Sequence, residues 1–268
     1  MRINTNLNAM IATNQMSKNT ALAGSSMEKL STGLRITKAG DDAAGLAVSE
    51  KMRAQIRGME QAERNVQDGI SMVQTAEGAL EEAGNIAQRM RELGVQAGND
   101  TLSDDDRTKV KEELKQLQDE MKKISEETKF NGKQLLNTAG TFTIQAGANS
   151  ETRKIETADL SSIANGLSTI SVSSSTDAQG FVTKVDNALK LINNARSNLG
   201  AMQNRLEYTA NNLTTSTENL TAAESRIRDV DVAKEMVTLS KLNILNQASQ
   251  AMVSQAKQQP ESVSQLLR

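Results

Sequence analysis

Apolar residues recur at steps of three and four between about residues 42 and 94, and no proline interrupts them. The average step of about 3.4 residues is close to the 3.5-residue repeat that keeps one seam of a helix facing a partner. At 1.5 Å rise per residue, such a helix spans about 80 Å. We expect the spine of a rod, with a seam of Met52, Ile56, Met59, Ala62, Val66, Ile70, Val73, Ala76, Leu80, Ala83, Ile86, Met90 and Leu93.

Two further rows predict partner helices for this spine. The first follows a capping box of Ser103 and Asp106, and its apolar positions are Val110, Leu114, Leu117, Met121, Ile124 and Thr128. The second begins near Thr176 and repeats at intervals of seven, at Val185, Ile192, Leu199, Leu206, Leu213, Leu220 and Ile227. Small residues at the intervening seam positions favour a multi-helix bundle over a two-stranded zipper.

Both ends of the chain carry weaker helical rows. The first row comprises Ile3, Leu7, Met10, Asn14, Ser17, Ala21, Gly24, Met27, Leu30 and Leu34; the last comprises Val232, Met236, Leu239, Leu242, Leu245, Ala248, Met252 and Ala256 and ends near Pro260. Antiparallel long helices bring these two segments together, but neither has the aromatic content for a core of its own. We therefore predict a self-assembly seam of Leu7, Met10, Ile11, Val232, Met236, Leu239, Leu242, Leu245 and Met252.

Residues 138–176 lack the helical period and form the only β candidate. Thr141–Gln145 and Arg153–Thr157 alternate polar with apolar residues around a glycine-containing turn, which predicts a hairpin. For Ser168–Ser175 a disordered linker is the alternative. Asp41 and Asp42 are interpreted as caps at the start of the spine, with metal ligation as the alternative.

These patterns predict a mainly α fold, a long antiparallel helical bundle or coiled-coil rod with a small β-hairpin region. We divide it into paired terminal helices (1–40 and 229–268), a long-helix bundle (41–137 and 177–228) and a hairpin and loop region packed on the bundle (138–176).

Composition narrows the function. The 268 residues include three Phe, one Tyr, one Pro and no Trp, His or Cys, and the formal net charge is -2. Without Cys the chain has no disulfides or thiolate metal sites, and without His it lacks the commonest general base and metal ligand near neutral pH. We therefore expect no enzyme, cofactor or metal. The near-balanced charge predicts no nucleic-acid partner, and the apolar runs are too short for a signal peptide or a membrane span.

Several segments carry a family resemblance. KLSTGLRITKAGDDAAGLAVSEKMRAQIRG at 29–58 resembles the N-terminal signature of bacterial flagellin, and FNG at 130–132 fits it. NRLEYTANNLT at 204–214, AAESRIRDVDVAKEM at 222–236 and the run from Asn246 to the closing SQLLR are similar to the flagellin C-terminus. The chain resembles a short form that lacks the outer variable domains.

The resemblance implies a secreted, extracellular structural subunit that self-assembles into the bacterial flagellar filament for swimming motility. The terminal helices would pair as the inner core of the filament. Implied partners are other copies of the chain, the flagellar export apparatus and its chaperone, and the filament cap and hook-associated proteins. Two alternatives are a hook-filament junction protein, which shares the terminal helices, and an unrelated coiled-coil adaptor. The inserted HExxH metalloprotease of some flagellins is excluded because the chain has no His.

A patch resembling the surface bound by the animal Toll-like receptor for flagellin lies at Gln88–Val95. The resemblance implies that Arg89, Leu93 and Glu113 contribute to recognition. The alternative from the residues alone is that Leu93 is a seam residue while Arg89 and Glu113 form a solvated face.

Overall fold

The computed structural model describes the backbone of residues 6–168 and 171–266, and the side chains of these ranges up to residue 258. The elements in chain order are α1 (Leu7–Thr32), α2 (Ala43–Ala97), α3 (Asp104–Glu127), β1 (Lys129–Phe130), β2 (Lys133–Gln134), β3 (Gly140–Gln145), β4 (Thr152–Thr157), α4 (Leu160–Gly166), α5 (Ser175–Arg228) and α6 (Val232–Leu266). The mainly α fold with a small hairpin is confirmed. Of the predicted positions, Ile3 and part of Ser168–Ser175 lie outside the described residues.

The chain forms two compact units. The terminal unit comprises Met1–Ala54 with Asn219–Arg268, and the bundle unit comprises Gln55–Glu218. The first part of α2 and the last part of α5 therefore group with the terminal helices.

In the bundle unit, α2 and α5 pack along the predicted seams. The α5 row is buried from Val185 to Leu213, and α2 is fully buried at Val66, Leu80 and Met90. The two helices run antiparallel, because Arg91 near the end of α2 forms an ion pair of 2.7 Å with Asp186 near the start of α5. Burial of these aliphatic side chains stabilises the bundle by about 25 cal/mol per Å² of apolar surface.

The third helix of the bundle starts at the predicted capping box. The hydroxyl of Ser103 accepts from the backbone N–H of Asp106, and the Asp106 carboxylate accepts from the N–H and hydroxyl of Ser103. Further along α3, Leu114 and Met121 are fully buried. α3 thus buries one face within the bundle unit, where α4 packs against it and the Gln118 amide donates to the carbonyl of Ala164.

The region after α3 contains the predicted hairpin and two elements that the pattern did not predict. β3 pairs with β4 in antiparallel register, with Phe142 opposite Ile155. The smaller pair β1–β2 turns at Asn131 and Gly132, which have φ of 48° and 78°. The seven-residue α4 starts at Asp159, whose carboxylate accepts from the N–H of Ser162. Residues 160–166 of the predicted loop region are thus helical.

In the terminal unit, a short bridge joins the two connections between helices. Leu34 pairs with Asp229 in an isolated antiparallel bridge, and the N–H of Val230 donates to the carbonyl of Gly33. The guanidinium of Arg228 forms an ion pair of 2.6 Å with Glu50. These interactions fix the path of the chain into α2 and α6.

The C-terminal helix differs from the prediction at one end. It begins as expected, where the Asp231 carboxylate accepts from the N–H of Lys234. The prediction that it ends near Pro260 is wrong, because α6 continues to Leu266. A proline within a helix removes one backbone donor and bends the axis, but does not always end the helix.

Candidate functional site

α1 and α6 pair inside one chain through faces rich in small and polar residues. The buried positions are Asn19, Ala23 and Ser26 on α1 and Leu242 and Ser249 on α6. Such short side chains let the two backbones approach closely. The helices run antiparallel, since the amide of Asn6 donates to the carbonyl of Ala256 at 2.6 Å.

The face of α1 that packs on α6 is not the face that carries the predicted row. Leu7, Met10, Asn14, Ser17, Ala21 and Gly24 are exposed, whereas the face toward α6 lies two residues further on, at Ala9, Ala12, Met16, Asn19, Ala23 and Ser26. The packed face contains polar residues and the exposed face contains large apolar ones. A single apolar period therefore could not identify the buried side of α1.

Seven of the nine predicted seam residues are exposed in the single chain. Their relative exposures range from 40% to 67%, for Leu7, Met10, Ile11, Val232, Met236, Leu245 and Met252. Leu242 is only 8% exposed and Leu239 is partly buried. Both lie on the α6 face that packs on α1, so within the subunit they hold the terminal helices together.

Four exposed apolar side chains on the same two helices were not among the predicted seam residues. They are Leu22, Met27, Val237 and Ile244. Met27 belongs to the predicted first row, and Val237 and Ile244 line one groove on α6 with the predicted Met236 and Leu245. Their apolar character was the signal that could have indicated them. Near the far ends of the pair, Ile11, Ala12, Met252 and Ala256 line an apolar groove of about 460 Å³.

The predicted receptor patch is only partly assembled at the surface. Arg89 on α2 forms an ion pair of 3.0 Å with Glu113 on α3, and both side chains are about half exposed. The hydrogen bonds that the guanidinium donates to Glu113, and then to Glu92, raise the pKa of Arg89. Leu93 is 2% exposed and belongs to the bundle seam. Its side chain is not available on the face that presents Arg89 and Glu113.

The carboxylates of Asp41 and Asp42 are used in local structure. Asp42 accepts from the N–H of Gly45 at 2.8 Å and caps α2. Asp41 accepts from the N–H groups of Thr37 and Lys38 and from the Thr37 hydroxyl, which lowers its pKa. Among the described residues, no cluster of three His, Cys, Asp or Glu side chains is arranged to hold a metal.

No helix in the described part of the chain has both the length and the apolar character that a membrane span requires.

Comparison with known families and proteins agrees with this architecture. Residues 3–141 match the bacterial flagellin N-terminal helical region, and residues 182–267 match the bacterial flagellin C-terminal helical region. The chain is 54% identical over 272 residues to a flagellin of Halalkalibacterium halodurans and 48% identical over 306 residues to a flagellin of Bacillus subtilis. It is 42% identical over 288 residues to flagellin FlaB2 of Treponema pallidum. Each alignment covers 100% of both chains.

Solved structures show the same relationship. The crystal structure of Bacillus cereus flagellin is similar with a TM-score of 0.52 and 34% identity, covering 60% of this chain and 94% of that one. A Vibrio parahaemolyticus protein assigned as flagellar hook-associated has a TM-score of 0.60 at 12% identity, covering 70% of this chain and 100% of that one. At that identity the second likeness concerns the fold alone, and nothing favours the hook-filament junction alternative.

The chain aligns with flagellins over its full length, it matches both flagellin terminal regions, and its own terminal helices pair. It therefore belongs to the bacterial flagellin family and is a structural subunit, not an enzyme, of the bacterial flagellar filament.

Proposed function

We propose that copies of this chain pack against one another in the filament through the exposed apolar side chains of α1 and α6. One observation carries this proposal. Eleven of the fifteen large hydrophobic side chains exposed in the described residues lie on these two helices. Contiguous apolar surface on a soluble subunit usually marks an interface.

The distribution of apolar residues around α6 supports the same assignment. At about 100° per residue, Val232, Met236, Ile244 and Met252 point in directions spread over more than half of the helix circumference. α1 covers a different side, which contains Leu242. A helix that is apolar on all sides is normally buried, so α6 needs neighbours besides α1.

The variant Leu245→Asp tests the proposal. Leu245 is 40% exposed in the single chain, so we expect the thermal midpoint of the bundle to stay unchanged. In the filament, each copy would lose roughly 1.5 to 3 kcal/mol of apolar burial and would bury an unpaired carboxylate. Growth from filament seeds, followed by light scattering, should therefore be lost. Circular dichroism on the same preparation checks the fold.

Leu242→Asp is the matched comparison, because it introduces the same carboxylate one turn away on the side facing α1. We expect this variant to separate α1 from α6 in the free subunit, with a loss of helical signal that Leu245→Asp does not show. Normal seeded growth of Leu245→Asp would contradict the assignment of Leu245 to the assembly surface. Early unfolding would show that Leu245 already stabilises the free subunit.

A second proposal concerns the animal receptor. The exposed Arg89–Glu113 ion pair supports recognition by the Toll-like receptor that detects flagellin, because it offers a cation and a carboxylate on adjacent helices. The buried Leu93 would act only by holding α2 in place. Arg89→Asp should reduce receptor signalling by the monomer, whereas Arg57→Asp, the same change at an exposed arginine elsewhere on α2, should have a smaller effect. Unchanged potency of Arg89→Asp would contradict this proposal.

We also propose the remaining partners implied by the family. These are the flagellar export apparatus with a chaperone, the filament cap and the hook-associated proteins, with secretion of the subunit to the cell exterior. The exposed apolar residues of α6 support a need for a chaperone, because they would contact water before assembly. Co-purification of the chaperone with the intact chain, and its loss with Met252→Asp, would test this binding.

A further inference from the structure

The exposed and the buried methionines of this chain lie in different units. In the described part of the chain, the exposed ones have relative exposures of 50% to 67% and all lie on α1 or α6: Met10, Met27, Met236 and Met252. The buried ones are at most 9% exposed and all lie in the bundle unit: Met59, Met72, Met90 and Met121. An oxidant dissolved in water therefore contacts the methionines of the terminal helices and is excluded from those of the bundle core.

Methionine is the side chain through which this protein reacts with a peroxide. The sequence has 12 Met and no Cys or Trp. Peroxides oxidise the sulfur of cysteine and of methionine, and a chain without Cys offers only the thioether of methionine. Because the reaction needs access to the sulfur, the four exposed methionines of α1 and α6 are the sites that react first.

We propose that peroxide oxidation of these four methionines in the free subunit prevents the chain from joining a filament. In the reaction, a lone pair of the sulfur attacks one oxygen of hydrogen peroxide, so that an S–O bond forms and the O–O bond breaks. The sulfur loses two electrons and becomes a sulfoxide, and the second oxygen leaves with both protons as water. This inference rests on the proposed function, since it requires that neighbouring copies cover α1 and α6.

Two of the four methionines lie in grooves, where an added oxygen has the largest effect. Met252 lines the groove near the far ends of α1 and α6 together with Ile11. Met236 lines a second groove, of about 450 Å³, together with Ile244 and Leu245. Oxidation replaces the apolar thioether by a polar, chiral sulfoxide. Water solvates this group in the free subunit but is removed when a neighbour covers the groove, so the sulfoxide opposes assembly and leaves the fold of the subunit intact.

The block to assembly is reversible by a known class of enzyme. Methionine sulfoxide is reduced by methionine sulfoxide reductases, one for each epimer of the sulfoxide. The four sites are exposed in the free subunit, so these reductases are the partners that we expect to act on it before assembly. Treatment of oxidised subunits with both reductases should restore growth from filament seeds. Subunits that are fully reduced by this treatment and still do not grow would contradict the proposal.

Seeded growth of peroxide-treated subunits tests the block itself. The subunit is treated with hydrogen peroxide, the peroxide is removed, and filament seeds are added while light scattering is followed. We expect growth to slow several-fold and circular dichroism to stay unchanged. Peptide mass spectrometry should find several-fold more sulfoxide at the four exposed methionines than at the buried ones. Normal growth with all four sites oxidised would overturn the proposal, and so would a loss of helical signal, because oxidation would then act on folding.

Leucine variants test which methionines are responsible. One chain combines Met10→Leu, Met27→Leu, Met236→Leu and Met252→Leu. The matched control combines Met52→Leu and Met202→Leu, at half-buried methionines of the long helices. Each chain is compared with its own untreated preparation, so any effect of the substitutions on assembly cancels. Peroxide should leave growth of the first chain nearly unchanged and should slow the control as strongly as the wild type. Equal losses in the two chains would contradict the assignment of the sites.

Oxidation of finished filaments tests whether the same methionines lie at contacts between copies. In wild-type filaments, the four sites should gain several-fold less sulfoxide than in free subunits under the same treatment. Equal oxidation would overturn the proposal, because the sulfur atoms would then stay in water after assembly. This result is separate from the test at Leu245. Normal growth of Leu245→Asp would contradict the proposed function, whereas the comparison of treated and untreated wild-type subunits uses no variant and still decides the effect of oxidation.

Discussion

Gly58 of α2 lies directly against Ala148 in the loop between β3 and β4. A Cβ at position 58 would be 2.8 Å from the Cβ of Ala148 and 3.1 Å from its Cα. Both distances are shorter than ordinary van der Waals contact, and the second involves backbone, which cannot rotate away. The absence of a side chain at residue 58 therefore allows the hairpin to pack on α2.

Gly58→Ala should lower the free energy of unfolding by about 1 to 2 kcal/mol, because overpacking outweighs the improved helix propensity. Gly78 is the control on the same helix, since nothing lies within 4 Å of a Cβ there. Gly78→Ala should raise stability by about 0.5 to 1 kcal/mol. Chemical denaturation of both variants checks the opposite signs, and a stabilised Gly58→Ala would show that the hairpin is free to shift.

Arg107 is a buried arginine that caps the end of α2. Its guanidinium donates to the carbonyl of Ala97 at 2.7 Å and to that of Asn99 at 3.1 Å. Arg107→Met would leave these carbonyls without the charged donor, and we expect a loss of about 2 to 3 kcal/mol of stability. Lys109→Met, at an exposed position on the same helix, should change stability by less than about 0.5 kcal/mol. Similar urea midpoints for the two variants would contradict this role.

The capping box of α3 predicts a pH dependence. The Ser103 hydroxyl, and then the Ser103 N–H, donate to Asp106 and lower the pKa of its carboxyl below 3.8. The folded state therefore binds this proton less tightly than the unfolded state. The stabilisation is complete above the unfolded-state pKa and is lost as pH falls through the lower folded-state value.

The stability difference between wild type and Asp106→Asn should be constant near neutral pH and should shrink below about pH 4. Thermal unfolding across that range measures it. Because both chains share the other lowered carboxyl pKa values, at Asp41 and Glu50, the comparison isolates Asp106. A difference that is independent of pH would show that the cap does not involve the ionised carboxylate.

The long helices could be predicted from the sequence because each buries a single seam. On α5, Ile192, Leu199 and Leu206 are buried at the seven-residue interval that the pattern predicted. On α6, apolar residues point in several directions, and the sequence pattern joined the buried Leu242 to the exposed Leu245 in one row. Which sides of such a helix are buried depends on the helices that pack against it. The apolar period of the helix itself does not specify those neighbours.

The small elements were missed for a different reason. Asn131–Gly132 is a strong hairpin signal because both residues favour positive φ. The flanking strands have only two residues each, however, which is too few to show an alternation of polar and apolar positions. The seven residues of α4 are too few to display a helical period, although the capping Asp159 and the terminal Gly166 mark its limits. At the receptor patch, resemblance identified Arg89 and Glu113 as neighbours, but the exposure of Leu93 depends on packing with other helices.

The pairing of α1 with α6 has a consequence for the order of folding. The contact between Asn6 and Ala256 joins residues 250 positions apart. The entropic cost of closing a flexible loop increases with the logarithm of the loop length. Contacts of such high sequence separation form slowly. Residues 55–218 contain helices and turns whose hydrogen bonds join residues much closer in sequence. A refolding subunit should therefore acquire its bundle first, and a chain whose two ends have not yet met would already be largely helical.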